Sequence, residues 1–233
     1  VNGAPTPTDD AAATDEATPV DITPLDNDGD PDTSNTLSVS AVDTTGTLGG
    51  VTQAGDTLTY TPGAAFGYLA AGETATDTFG YTASDGQGGD VTATVTVTVT
   101  GLNGAPTAVD DTASTDEVTA VDIDVLGSGG GGDSDPDTSD TLTVSSFDDS
   151  GTQGSVSRDG DTLAYDPDGA FDGMGAGQSA TDTFTYAISD GNGGSDTATV
   201  TVTVNGVNDA PTAVDDASAT TDDATSVVTP LGN

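Results

Sequence analysis

Histidine, cysteine, tryptophan and lysine are all missing from this chain, and each absence closes a class of chemistry. Without His or Cys there is no imidazole base, no thiolate nucleophile and no zinc site of the usual kind. Without Cys no disulfide can staple the fold, and the thiols give no clue to the compartment. Without Lys a Lys–Asn isopeptide cross-link is ruled out. Positive charge is almost gone as well: Arg158 is the single cation against 40 acids, for a net charge of −39. Nothing here can neutralise phosphates, which excludes nucleic acid and anionic membrane surfaces as partners. No run is long or apolar enough to insert into a bilayer. Aromatics make up only 4% of residues, so any core is thin and built from Val, Leu, Ala and a few rings. Paired carboxylates alone can hydrolyse glycosides, but no aromatic-lined cleft is available to hold a sugar, and the chain reads as a non-enzyme.

What is present is strand. Val91–Thr100 alternates Val or Ala with Thr, the period of two that gives one buried and one wet face. The run breaks at Gly101, passes through Asn103-Gly104-Ala105-Pro106 and reaches the acid pair Asp110-Asp111. This seam recurs: Val1-Asn2-Gly3-Ala4-Pro5-Thr6, Leu102-Asn103-Gly104-Ala105-Pro106-Thr107 and Val207-Asn208-Asp209-Ala210-Pro211-Thr212 are spaced 101 and 105 residues apart. The four extra residues are the Gly129–Gly132 insertion. A period of this size suits a whole small domain and is too long for a solenoid unit. The expected organisation is repeat 1 over 1–101, repeat 2 over 102–206, and the start of an incomplete third over 207–233, as in a window cut from a longer repetitive polypeptide.

In repeat 1 strands are expected near Val20–Ile22, Leu37–Val42, Val51–Gln53, Thr57–Tyr60, Thr78–Ser84 and Val91–Thr100. Pro19 and Pro24 mark the first as an edge. A loop carrying Phe66, Tyr68 and Leu69 is expected to plug one end of the core. Repeat 2 follows the same order, and its Asp159-Gly160 pair reads as a stronger hairpin signal than the equivalent in repeat 1. Six or seven short strands per hundred residues, without helical periodicity, predict an all-β chain of tandem Greek-key β-sandwiches, about seven strands each. High charge with modest hydrophobicity warns of disorder, but the strict alternation, the Thr/Val bias and the regular turns argue for folding, with cations bound.

The acids keep phase across the repeats. Thr14-Asp15-Glu16 matches Thr115-Asp116-Glu117, the Asp-Pro-Asp of Asp30–Asp32 matches Asp135–Asp137, and Ser84-Asp85-Gly86 matches Ser189-Asp190-Gly191. A salt-adapted charge coat has no reason to keep register in this way. Neighbouring motifs fail on detail. Asp26–Asp30 has glycine and Leu37 at the wrong places for an EF-hand, the glycine-rich turn at Gly86–Gly89 is not in tandem as a calcium β-roll would be, and Gly129–Gly132 lacks the lysine and helix of a phosphate loop.

Taken together, the acidic loop before a strand, the Ser-Asp-Gly ahead of the last strand, the early Thr-Asp-Glu and the Asn-Asp-Ala-Pro seam resemble bacterial cadherin-like (VCBS-type) repeats of large secreted adhesins and surface proteins. The resemblance covers the whole chain and implies Ca²⁺ at the junctions. It carries over to Glu16, Asp30, Asp32, Asp85 and Asn103, and in the next register to Glu117, Asp135, Asp137, Asp190, Asn208 and Asp209. Glu73 stands where such domains place a second glutamate, but repeat 2 has Gln178 there, and Gly104 replaces a linker acid. The chemistry agrees, since Ca²⁺ takes six to eight oxygen ligands and crowded carboxylates repel without it. The expected role is a spacer of a secreted or bacterial cell-surface adhesin or filament. Its partners would be the neighbouring repeats, other copies in a filament, and surface glycans through domains outside this chain. Two alternatives stand beside it: a glycan- or protein-binding module using the loops Ala64–Glu73 and Phe171–Gln178, and a filament subunit donating a strand near Ser226–Thr229.

Overall fold

The computed structural model describes residues 1–127 and 132–215. Most of the Gly129–Gly132 insertion and the proposed donor strand at Ser226–Thr229 lie outside the described residues. Among the described residues each repeat has seven strands. Repeat 1 contains β1 (Asp10–Asp15), β2 (Val20–Ile22), β3 (Ser38–Asp43), β4 (Gly50–Ala54), β5 (Thr57–Thr61), β6 (Thr74–Ser84) and β7 (Asp90–Thr100). Repeat 2 contains β8 (Asp111–Asp116), β9 (Val121–Asp124), β10 (Thr143–Asp148), β11 (Ser155–Asp159), β12 (Thr162–Asp166), β13 (Ser179–Ser189) and β14 (Ser195–Asn205). In each repeat a four-stranded sheet, β1-β7-β6-β3 or its equivalent β8-β14-β13-β10, faces a three-stranded one, β2-β5-β4 or β9-β12-β11. The β4–β5 hairpin sits in one sheet while β3 and β6 pair in the other, which is the Greek-key crossover.

The Thr/Val alternation does what its period dictates. Val95, Val97 and Val99 are fully buried opposite Phe79, Asp77 and Ala75 of β6, and the threonines between them face water. Burying each such valine contributes about 1.5 kcal/mol or more. Phe79 stacks on Tyr60 from the opposite sheet at 6.2 Å, and Phe184 stacks on Tyr165 in the same way at 6.5 Å. The two cores are separate clusters, one per repeat.

Three expectations need correction. The segment before Val20 contains a full strand: β1 runs parallel to β7, pairing Asp10 with Val95 through Asp15 with Thr100. Its sequence, DAAATD, has no β-branched run, so local propensity hides it, and the long-range ladder supplies its order. The hairpin turns of the two repeats do not differ. Both place Gly-Asp at the centre, Gly55-Asp56 and Gly160-Asp161, with the glycines at φ +65° and +62°. A positive φ at the first central residue alone is the type II′ pattern, so Asp159 is the last strand residue and no part of the turn pair. Lastly, Phe66 and Leu69 plug the core as expected, but Tyr68 is 44% exposed. The edge position of β2 and the closing β6–β7 hairpin stand as read.

One inward position on β6 carries an acid. Asp77 accepts from the backbone N–H of Leu48 (2.9 Å), Gly49 (2.8 Å) and Thr78 (2.9 Å) and from the Tyr60 hydroxyl (2.7 Å). Burial works to raise its pKa, yet those donors outweigh burial and hold the carboxyl below the ordinary aspartate range. Asp182 repeats the arrangement with Gln153, Gly154, Thr183 and Tyr165. The turn acids Asp56 and Asp161 each accept from a backbone N–H across the sandwich, Val39 and Val144, both at 2.8 Å. Several in-phase acids are therefore structural, and phase alone does not identify a ligand.

Candidate metal centre

The end of β1, the linker and two loops of repeat 2 converge at the seam. Glu16 follows β1, and its backbone N–H donates to the Thr100 carbonyl at 3.0 Å, which fixes the glutamate beside the linker. In the linker, Asn103 Nδ2 donates to Asp190 Oδ2 at 2.9 Å, and the Gly104 N–H donates to Asp137 Oδ2 at 2.8 Å. Glycine is required at 104, because a Cβ there would lie 2.5 Å from Pro136 Cγ. Within the Asp-Pro-Asp turn the Asp137 N–H donates to Asp135 Oδ1 at 2.8 Å. Asp190, at the mouth of the β13–β14 hairpin, accepts from the N–H groups of Asn192, Gly193 and Gly194. A backbone contact also joins the repeats: the Tyr68 carbonyl accepts from the Thr138 N–H at 3.2 Å.

These bonds leave a specific remainder. Buried side-chain oxygens with no hydrogen-bond donor are Glu16 Oε2, Asn103 Oδ1, Asp135 Oδ2 and Asp137 Oδ1 at this seam. An unpaired buried oxygen is costly, and three carboxylate oxygens and one amide oxygen at one seam make an oxygen-rich, donor-poor pocket. Asp135, Asp140 and Asp190 each place an oxygen within 4.8 Å of the other two. Burial and the Asp137, Asp140 and Asp190 charges push the Asp135 carboxyl above its usual pKa, against the Asp137 N–H. Glu16 is raised by burial and by the charges of Asp137 and Asp15, against the Leu102 N–H. Asp190 is lowered, by the Asn103 amide first and then by the hairpin N–H groups, which outweigh burial. The donor set is all hard oxygen, suited to a cation such as Ca²⁺ or Mg²⁺ and unsuited to a soft metal.

Residues 2–101 match the family model described as a bacterial cadherin-like domain, and residues 103–203 match that of a bacterial Ig domain. The two repeats are thus similar to bacterial cadherin-like and bacterial Ig domains respectively, each model matching a little under half of the chain. Domains of both kinds are non-enzymatic adhesion and structural modules, in keeping with a chain that has neither His nor Cys. Among solved structures, human mucin-like protocadherin EC1-2 is similar at a TM-score of 0.52 and 18% identity, covering 88% of this chain and 98% of that one. Mouse cadherin-23 EC22-24 is similar at 0.50 and 15%, covering 89% of this chain and 65% of that one. At such identities the likeness is one of fold. No curated protein is matched by the sequence.

The remaining candidates of these cadherin-like repeats fall into two groups. At the proximal end of repeat 1, Asn2 Nδ2 donates to Asp85 Oδ2 (2.7 Å), the Gly3 N–H to Asp32 Oδ2 (2.6 Å) and the Asp32 N–H to Asp30 Oδ1 (2.6 Å). Only Asp30 Oδ2 is left there as a buried oxygen without a donor. Beyond repeat 2, Glu117 is 1% exposed; its Oε1 accepts from the Val207 N–H at 3.0 Å and its Oε2 has no donor. Asn208 and Asp209 are exposed and meet none of the other candidates among the described residues. Glu73 is exposed and accepts from the Ala70 N–H, as Gln178 Oε1 does from Gly175, so this position caps a loop that an amide oxygen serves equally well. Asp140 was missed by motif reading, although the exchange of Asn35 for Asp140 between SNTL and SDTL was visible in the repeat alignment.

Proposed function

We propose that these are spacer repeats of a long extracellular bacterial adhesin or surface filament, stiffened by Ca²⁺ bound where repeats meet. The domain limits would be 1–101 and 102–206, with 207–233 opening a third repeat. The ion would be held by Glu16 from repeat 1, Asn103 from the linker, and Asp135, Asp137, Asp140 and Asp190 from repeat 2. Six side chains match the six to eight oxygens that Ca²⁺ prefers. The observation that carries this reading is the set of four buried oxygens without a donor, drawn from both repeats and the linker. Because Glu16 lies on one repeat and the aspartates on the next, binding favours one relative orientation, and the repulsion it relieves couples metal to alignment. Ca²⁺ supplies charge and a shared ligand sphere; the chain's residues supply the geometry. The loop Ala64–Glu73 touches repeat 2 through Tyr68, which supports a spacer role for it over a free recognition surface.

The test is calorimetric Ca²⁺ titration of the whole chain beside small-angle scattering in Ca²⁺ and in EDTA. Binding is expected, with a longer maximum dimension in Ca²⁺ and loss of the junction ion in Asp135→Ala/Asp137→Ala. An unchanged dimension and no binding difference between wild type and the double variant would end the proposal.

A further inference from the structure

Each repeat has a second oxygen-rich cluster, gathered around a buried tyrosine hydroxyl and sharing none of the seam residues. In repeat 2 the Tyr186 hydroxyl lies 2.9 Å from Asp111 Oδ2 and 3.0 Å from the Val109 carbonyl. It lies 3.2 Å from both Asp133 oxygens and 3.4 Å from the Val125 carbonyl. In repeat 1 the Tyr81 hydroxyl lies 2.9 and 3.1 Å from the Asp28 oxygens, 3.2 Å from the Pro24 carbonyl and 3.4 Å from that of Thr8. A phenol carries one proton, so it can serve one of these acceptors at a time. The N–H groups of Val109 and Thr8 serve Asp133 and Asp28, not the second acid of each cluster. That second acid is Asp111, 2% exposed, and in repeat 1 Asp10, whose Oδ2 is buried with no donor. The tyrosine occupies the centre of the oxygens, where a metal ion would have to sit. What the cluster lacks is a proton.

We propose that Asp10 and Asp111 are proton-accepting carboxyls that make the interior of each repeat respond to pH. Each takes one proton from solvent and donates it to the adjoining tyrosine oxygen, which frees the phenol proton for Asp28 or Asp133. Both acids sit above the usual aspartate range. For Asp111 the causes are burial, then the charges of Asp133, Asp124 and Asp110, against the Tyr186 hydroxyl. For Asp10 the causes are burial and the charges of Asp28 and Asp9, against Tyr81 and Asn27. A raised folded pKa means that the folded state binds more protons in the window above the unfolded value near 3.8. The stability gained by protonation is complete below that value and is lost as pH rises through the folded pKa. Through these two acids, acidification from neutral pH therefore strengthens each module.

The experiment is thermal melting of the whole chain in EDTA at pH 7.5 and pH 5, for wild type, Asp10→Asn/Asp111→Asn and the exposed-acid control Asp172→Asn. Asparagine brings N–H donors into a donor-poor cluster, so the double variant should melt higher than wild type at pH 7.5, by about 4–8 °C. It should also lose much of the wild-type gain on going to pH 5, whereas the control should do neither. Carboxyl ¹³C titration should give Asp10 and Asp111 midpoints above ordinary aspartate. A double variant melting below wild type at pH 7.5, or midpoints at or below the ordinary value, would overturn the proposal.

Discussion

The proximal end of repeat 1 and the seam between the repeats use the same positions, and they part at one amide. In repeat 1 Asn35 Nδ2 donates to Asn2 Oδ1 at 3.2 Å, so the linker asparagine is satisfied by its own repeat. At the seam the equivalent of Asn35 is Asp140, which cannot donate and instead accepts from Asn192 Nδ2 at 2.9 Å. Asn103 Oδ1 is left without a partner. Glu16 then reaches the seam from the preceding repeat, adding a second such oxygen. The Asp-Pro-Asp turn and hairpin acid form the same hydrogen-bonded scaffold in both places. Four donor-free buried oxygens gather at the seam, where an acid replaces the asparagine and a preceding repeat contributes Glu16, against Asp30 Oδ2 alone at the proximal end.

The largest test of that contrast removes the turn acid in each place. Asp137→Ala should weaken the tightest Ca²⁺ event on the order of a hundredfold or more, because a buried charged ligand and the Gly104 anchor are lost together. Asp32→Ala, at the proximal end, should change that event less than about twofold, since the two sites share no residue. Calorimetry on the two variants decides it. Equal losses would show that the proximal end and the seam bind alike.

Much of this was legible in the sequence, for physical reasons that differ by element. Val91–Thr100 and its partner declare themselves because burial alternates with a period that any reader can count. β1 does not, because its alanines carry no strand preference and its order comes from β7 across more than eighty residues. The seam residues Glu16, Asn103, Asp135, Asp137 and Asp190 were visible as in-phase motifs. What phase could not do was separate them from Asp77 and Asp182, equally in phase and fully occupied by N–H and O–H donors. That distinction is one of hydrogen-bond supply, and supply depends on which backbone groups fold nearby. The Asp10 and Asp111 clusters were hidden for the same reason, whereas Asp140 stood in view as an exchange between the repeats.

A smaller effect comes from exchanging the amide itself. Asp140→Asn rebuilds the proximal arrangement at the seam: the new amide can donate to Asn103 Oδ1, and one negative charge is lost. Ca²⁺ affinity should fall about tenfold, because asparagine keeps a ligating oxygen but removes one of the charges that set the strength of a calcium site. Asn35→Asp should move the proximal end the other way, leaving Asn2 Oδ1 without a donor and increasing Ca²⁺ uptake there. Opposite signs in the two titrations support the amide as the point of divergence; the same sign in both would reduce it to a general charge effect.

The smallest expected effect is at Glu73, where family resemblance and local structure disagree. If the glutamate were a ligand, Glu73→Gln would cost affinity as Asp140→Asn does. Its carboxylate is exposed and accepts from the Ala70 N–H at 3.2 Å within its own loop, the task Gln178 performs at 2.7 Å for Gly175. Glutamine has an oxygen of the same reach and geometry. Glu73→Gln should therefore leave the melting temperature unchanged and Ca²⁺ affinity within about twofold of wild type, because the loop bond survives the change and surface substitutions of this kind are nearly neutral. A larger loss of affinity with an unchanged melt would place Glu73 in the coordination sphere, and the seam would then draw on two acids of repeat 1 where repeat 2 has only Glu117 to offer.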